Sequence, residues 1–230
     1  MLSFGGKRFK ILPVKCFLLL LGSLLVFLCG CASEPKGWNP NSSVPPDNKP
    51  FAVADVYLLP LDDFEYDFAN KLAKQLSQDL NIHVKAALNL GTAGLKPYPG
   101  TQQYPAEEII AMAKKVIPNF QDVVPTSSFV VLTRKDINAG DRSLRFNFAS
   151  GDPRSRVVVV STARLALDLK NTNIGREVFW LRTYKMTKRE IGIVHFGYLR
   201  STDVKDLMYS PIMSLEDVDR MGTEFAAAKK

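Results

Sequence analysis

Beyond residue 50 the apolar positions of the chain fall into two kinds of pattern, short β-branched runs and long four-residue stripes. Phe51 to Leu61 is mostly apolar and rich in β-formers, which predicts a buried strand. Asp62 and Asp63 then open a predicted helix, where Phe64, Phe68, Leu72, Leu76 and Leu80 form one apolar stripe. His83 to Leu90 reads as a second strand, followed by a Gly/Pro loop through Gly100. Tyr104-Pro105 starts a second helix with Ile109, Ile110, Ala113 and Val116 inward, and Pro118 closes it. Ser128 to Thr133 and Val157 to Ser161 read as central strands. Leu144 to Ala149 reads as a further strand, joined to Val157 through the turn Ser150-Gly151-Asp152-Pro153. A third helix is expected from about Arg176 to Phe196. Ser214 and Asp217, three apart, predict a capping box on a last helix. The order βαβαβββαα implies an α/β domain, with α+β possible, built on a mixed twisted sheet with packed helices.

The first fifty residues follow a different logic. Lys7, Arg8, Lys10 and Lys15 precede an apolar run from Cys16 to Phe27, and the run ends in Leu28-Cys29-Gly30-Cys31. A charged start, a short apolar segment and small residues at its end are the layout of a secretory signal. The run is shorter than the roughly 20 apolar residues a bilayer-spanning helix needs. Its last four residues resemble a bacterial lipobox, which implies cleavage before Cys31 and lipidation of that cysteine. Stable anchoring needs more than one acyl chain, and a triacylated cysteine meets that need. By analogy with Gram-negative sorting, Ala32 after the cysteine favours the outer over the inner membrane. Ser33 to Pro50 carries Pro35, Pro40, Pro45, Pro46 and Pro50 and too little apolar surface to order itself, so it reads as a disordered linker. The organisation expected is a lipoprotein signal peptide at 1–30, a lipidated start and linker at 31–50, and one domain at 51–230.

Cleavage changes the composition that matters. Four basic residues leave with the signal, so the formal net charge falls from +7 to +3, which gives no argument for a nucleic-acid partner. Cys16 and Cys29 also leave and Cys31 is acylated. No thiol then remains for a disulfide, a nucleophile or a thiolate metal site.

Within the domain, ordered matches accumulate. They include Gln103-Tyr104, TRKDI at Thr133–Ile137, FNFASG…VVVVSTARL from Phe146 to Leu165, RTYKMTKREIGIVHFGYL from Arg182 to Leu199, and DLMYSP from Asp206 to Pro211. With these the domain resembles the archaemetzincin-like zinc peptidases. The resemblance implies a single metzincin-like domain. In that family an arginine and a lysine three residues later lead into His-Glu-x-Gly-His, a third histidine follows, and a methionine turn lies beneath the metal. Arg182, Lys185, Glu190, Gly192 and Met208 fall at the matching places. The resemblance makes Glu190 the vestigial general-base position and Met208 the Met-turn residue.

The zinc ligands do not match. Aligned on Glu190 and Gly192, the three histidine positions hold Arg189, Ile193 and Leu199. Two imidazoles at i and i+4 can grip one Zn²⁺ because they share a helix face. Isoleucine has no donor atom, and arginine stays protonated. His83 and His195 are the chain's two histidines, so a three-histidine site cannot be assembled. No cofactor is expected, although the family's would be zinc. A mixed site of His195 with Asp203 or Asp206 stays open, beside a plain core or hydrogen-bonded role for His195. Without a metal, Glu190 is expected to pair with Lys185, Lys188 or Arg189. Scarce histidine disfavours a Ser-His-Asp triad at Ser161 or Ser128. Gly91-Thr92-Ala93-Gly94 lacks the Lys-Ser/Thr ending of a phosphate loop. Asp62-Asp63 and Glu107-Glu108 are expected in first helical turns, complementing the dipole. Trp180, Tyr184 and Ile191 read as a core stripe.

The function expected is therefore a membrane-anchored lipoprotein whose catalytically inactive metzincin-like domain binds a peptide or envelope protein, with Arg189 a possible contact to a carboxylate. Two alternatives remain at this point: an active peptidase with an atypical metal site, and a structural envelope lipoprotein.

Overall fold

Three strands supply the centre of the domain, and their side chains alternate between two cores. The computed structural model describes residues 53–140 and 145–226. Strands β1 (Val56–Pro60), β4 (Ser128–Thr133) and β7 (Val157–Ser161) are buried along their whole length. Val56, Leu58, Val130, Leu132, Val158 and Val160 point into one core; Tyr57, Leu59, Phe129, Val131, Val157 and Val159 point into the other. Successive residues of a strand face opposite ways, so a sheet covered on both sides reads as a continuous apolar run. That is why these segments are so uniformly β-branched.

Helix α1 (Tyr66–Leu80) and helix α3 (Asn173–Val194) cover the first face, and helix α2 (Ala106–Val116) covers the second. The five-stranded sheet has the order β2-β1-β4-β7-β6, with β2 at Val84–Ala86 and β6 at Ala149–Asp152. β2, β1, β4 and β7 are parallel; β6 runs antiparallel to β7 and forms an edge. A second, two-stranded parallel sheet pairs β3 (Gln103–Pro105) with β5 (Asp136–Asn138). Helix α4 (Leu215–Arg220) is the last element in the described residues. The mixed sheet with packed helices agrees with the expected fold class.

The stripe on α1 is seated as predicted: Phe64, Leu72 and Leu76 are buried, with Phe68 and Leu80 packed at the margin. Its start differs. The helix begins at Tyr66 rather than at the paired aspartates, and Asn81 ends it in the left-handed region at φ 51°. Asp62 instead accepts from the Thr92 amide and hydroxyl, while Asp63 accepts from the Thr133 hydroxyl and the Arg134 amide. Their carboxylates tie loops together at the end of the sheet. The second strand is shorter than His83–Leu90, although an isolated bridge links Leu90 to Leu61.

The segment around β6 is shifted from expectation. Ser150, Gly151 and Asp152 are strand residues, and the reversal comes at Pro153–Arg156. A Cβ on Gly151 would lie 3.0 Å from the Val158 side chain, so the glycine serves close packing within the ladder rather than a turn. Pro153 cannot donate to a ladder, and Arg156 adopts φ 55°. Of the predicted strand Leu144–Ala149, Leu144 lies outside the described residues and Asn147 makes only an isolated bridge to Ile137. The third helix starts earlier than Arg176, because the Thr172 hydroxyl caps it by accepting from the Gly175 amide at 3.0 Å. The capping box at Ser214 and Asp217 is present.

Candidate functional site

Helix α3 is buried on every side from Arg182 to Gly192. That stretch carries four cations, and each must find an acceptor, since an unpaired charge in the interior is strongly disfavoured. Arg182 meets two carboxylates. It donates through Nη1 and Nη2 to Asp168 (2.5 and 2.9 Å) and through Nε and Nη2 to Asp219 (both 2.7 Å). These partners, Asp219 foremost, hold the guanidinium above its ordinary pKa. Lys185 Nζ donates to the backbone carbonyls of Val218, Asp219 and Met221 at 3.1, 2.9 and 2.6 Å. It thereby satisfies the carbonyls at the end of α4, which have no helical partner. Burial pulls its pKa down. Lys188, 1% exposed, reaches Glu224 at 2.9 Å and lies over the rings of Tyr184 and Phe225.

The fourth cation is Arg189. Its Nη1 donates to Glu190 Oε1, the neighbouring carboxylate on the same helix, and both side chains are more than nine-tenths buried. Of the three partners expected for Glu190, this is the one it takes. Truncating either member would leave the other charge buried and alone, a loss on the order of 3–5 kcal/mol. Arg189 Nε is also buried and has no hydrogen-bond partner among the described residues, which costs roughly 1–3 kcal/mol.

The chain then turns under this helix. Asp206 Oδ1 accepts from the Met208 and Ala226 amides, and the Leu207 amide donates to the Glu224 backbone carbonyl. This fixes the loop that presents Met208, itself buried, to Gly192. A Cβ on Gly192 would fall 2.7 Å from Phe225 Cε1 and 3.1 Å from Met208 Sδ. The glycine is thus demanded by contact with the Met-bearing turn and the aromatic ring behind it.

The three positions that the resemblance gives to histidine are not gathered as donors. Arg189 is committed to Glu190, Ile193 packs on the first core, and Leu199 is 67% exposed. His195 is turned elsewhere, with Nδ1 3.2 Å from the Ser128 hydroxyl and its ring edge-on to Phe196. His83 Nδ1 lies 3.2 Å from the Val53 carbonyl. Asp206 is occupied by backbone amides and Asp203 accepts from the Lys205 amide. Among the described residues, no three His, Cys, Asp or Glu side chains are grouped to hold a metal ion. The donor set present does not fit the family's zinc, because a guanidinium, an isobutyl and a sec-butyl group supply no lone pair.

Beside the ion pair lies a cavity. Arg189 and Glu190 line a cavity of about 150 Å³ with Phe148, Met186, Ile212 and the exposed Arg200. Edge strand β6, paired on one side by β7, contributes Ala149 to its rim. Arg200 carries no signature in the sequence, and the Phe146–Ala149 segment, part of the FNFASG match, is placed beside Arg189 only by the structure. Of the other candidate groups, Glu107 lies in the first turn of α2 and accepts from the Gly140 amide. Tyr184 donates to Asp79 at 2.6 Å, and Ile191 is core. Cys31 lies outside the described residues.

No protein-family profile matches the chain, and no curated protein does. Solved structures do. An archaemetzincin from Archaeoglobus fulgidus, crystallised with malonate, superposes with TM-score 0.58 at 24% identity, covering 75% of this chain and 95% of that one. A zinc-dependent peptidase from Methanocorpusculum labreanum gives 0.62 at 19%, covering 75% and 96%. The archaemetzincin of Methanopyrus kandleri gives 0.57 at 22%, covering 75% and 88%. The domain therefore has the archaemetzincin-like fold.

Two measurements check the packing around the site. Gly192→Ala is expected to destabilise the protein by about 1–3 kcal/mol through overpacking, and adding Phe225→Ala should recover part of that loss in chemical denaturation. Equal stability of Gly192→Ala and wild type would remove the close contact from the account. Burial holds the His195 pKa below its ordinary value, with nearby Arg156 adding to and Asp55 opposing the shift. The unfolded chain then takes up the proton first, so stability present above the ordinary histidine pKa is lost as pH falls through it. His195→Gln should lose less stability than wild type between pH 7.5 and 5; an identical loss would mean the imidazole is not linked to folding.

Proposed function

We propose that this protein is a lipid-anchored component of a bacterial envelope, with the outer membrane favoured, whose metzincin-like domain binds an extended peptide or protein segment without cleaving it. The observation that carries the reading is the buried Arg189–Glu190 ion pair. In the family the carboxylate at this place works on a metal-bound water, whose pKa the metal lowers. Here it neutralises a guanidinium, and a dication beside Arg189 would meet a fixed like charge in a poorly screened interior. No catalytic step follows from such a pair.

A cavity beside an edge strand supports binding. A strand with one neighbour offers backbone donors and acceptors on its other side, and an extended segment can add to it while side chains enter the adjacent cavity. The anchor rests on the sequence signal ending at Cys31. Among the described residues no helix is long and apolar enough to cross a membrane.

Two experiments test the reading. The full-length protein, extracted in detergent and incubated with added zinc and a pool of extended peptides, should yield bound peptides of unchanged mass; recovery of cleaved products would overturn the non-catalytic assignment. Cys31→Ala should abolish incorporation of labelled acyl chains, and continued acylation of that variant would remove Cys31 as the attachment point.

A further inference from the structure

We infer that the cavity at Arg189 is a carboxylate-binding site, in which the unused edge of the guanidinium holds an anionic group of the bound peptide. The inference rests on the peptide-binding reading above and adds the chemical class of the group recognised.

A guanidinium presents a side-on pair of donors, Nε and Nη2, spaced to match the two oxygens of a carboxylate. This chain uses that pair twice. Arg182, two turns earlier on α3, binds Asp219 through Nε and Nη2 at 2.7 Å each. Arg164 binds Asp136 through the same two atoms at 2.8 and 2.6 Å. At Arg189 the ion pair to Glu190 engages Nη1. Nε is buried without a partner, and no hydrogen bond engages Nη2 among the described residues. The side-on edge that is filled in the other two arginines is empty in the one that lines the cavity.

The surroundings favour an anion there. Glu190 is the one carboxylate of the lining and is already paired, while Arg200, exposed on the same cavity, makes no ion pair or hydrogen bond through its side chain among the described residues. The lining therefore carries one uncompensated positive charge. Phe148, Met186 and Ile212 give the cavity apolar walls beside the guanidinium. About 150 Å³ suits a carboxylate with a short stem rather than a bulky ligand. The carboxylate of a peptide comes from its C-terminus or from an aspartate or glutamate side chain.

Three tetrapeptides distinguish these sources by calorimetric titration of the full-length protein: N-acetyl-Ala₄ with a free C-terminus, its C-terminal amide, and the amide with aspartate at the third position. At least one acidic peptide should bind tenfold or more tighter than the neutral amide, and which one does identifies the terminus or the side chain. Arg189→Gln strands Glu190 in the interior, so it is made together with Glu190→Gln and its fold checked by circular dichroism. This pair should erase the preference for the acidic peptide over the neutral amide. Equal binding of all three peptides by wild type, or a preference that survives in the double variant, overturns the carboxylate site alone. Failure of every peptide to bind overturns the peptide-binding reading with it.

Discussion

A helix that runs through the interior carrying Arg182, Lys185, Lys188 and Arg189 can exist only if every one of those charges is answered, and the rest of the structure is arranged around that requirement. Arg182 draws in Asp168 from the loop before α3 and Asp219 from α4. Lys185 closes the carbonyl end of α4, and Lys188 fixes Glu224. The C-terminal segment is therefore held against α3 by cation contacts as well as by apolar burial. Breaking one of them leaves a desolvated charge behind, so the pairs specify this arrangement more than they add net stability.

Seen this way, the vicinity of Glu190 follows the same rule as the rest of the helix. Arg189 is one more buried cation, and its answer is the adjacent carboxylate. The positive centre beside Glu190 is a guanidinium, which has no open coordination position to offer. Gly192, Met208 and Phe225 depend on close contact with one another and not on coordination.

Much of this was legible in the sequence where one periodicity dominates. The stripe Phe64–Leu80 on α1, the β-branched runs of β1, β4 and β7, and the capping box at Ser214 each have one local cause. The resemblance to archaemetzincins, drawn from ordered single matches, agrees with the fold of the solved structures. What escaped has physical reasons. β3 and β5 are three residues each and are held partly by side chains, Gln103 donating to Asp136 and Asn138 to Gln103, which leaves no apolar alternation to read. Gly151 and Asp152 look like a turn because the close packing of Gly151 on Val158 and the pairing of Asp152 with Val157 are tertiary facts. The burial of α3 was hidden because its interior face is charged, so the polar residues that ordinarily mark a solvent face mark ion pairs here. The empty edge of Arg189 could not be read at all, since it depends on where Glu190 and the cavity walls lie.

The most direct test of the account is diffraction at the zinc absorption edge from crystals of this protein grown with a zinc salt. The account expects the Arg189 guanidinium on the Glu190 carboxylate and no anomalous peak within bonding distance of that carboxylate. A fully occupied peak there, ligated by side chains of this chain with Arg189 swung away, would contradict it.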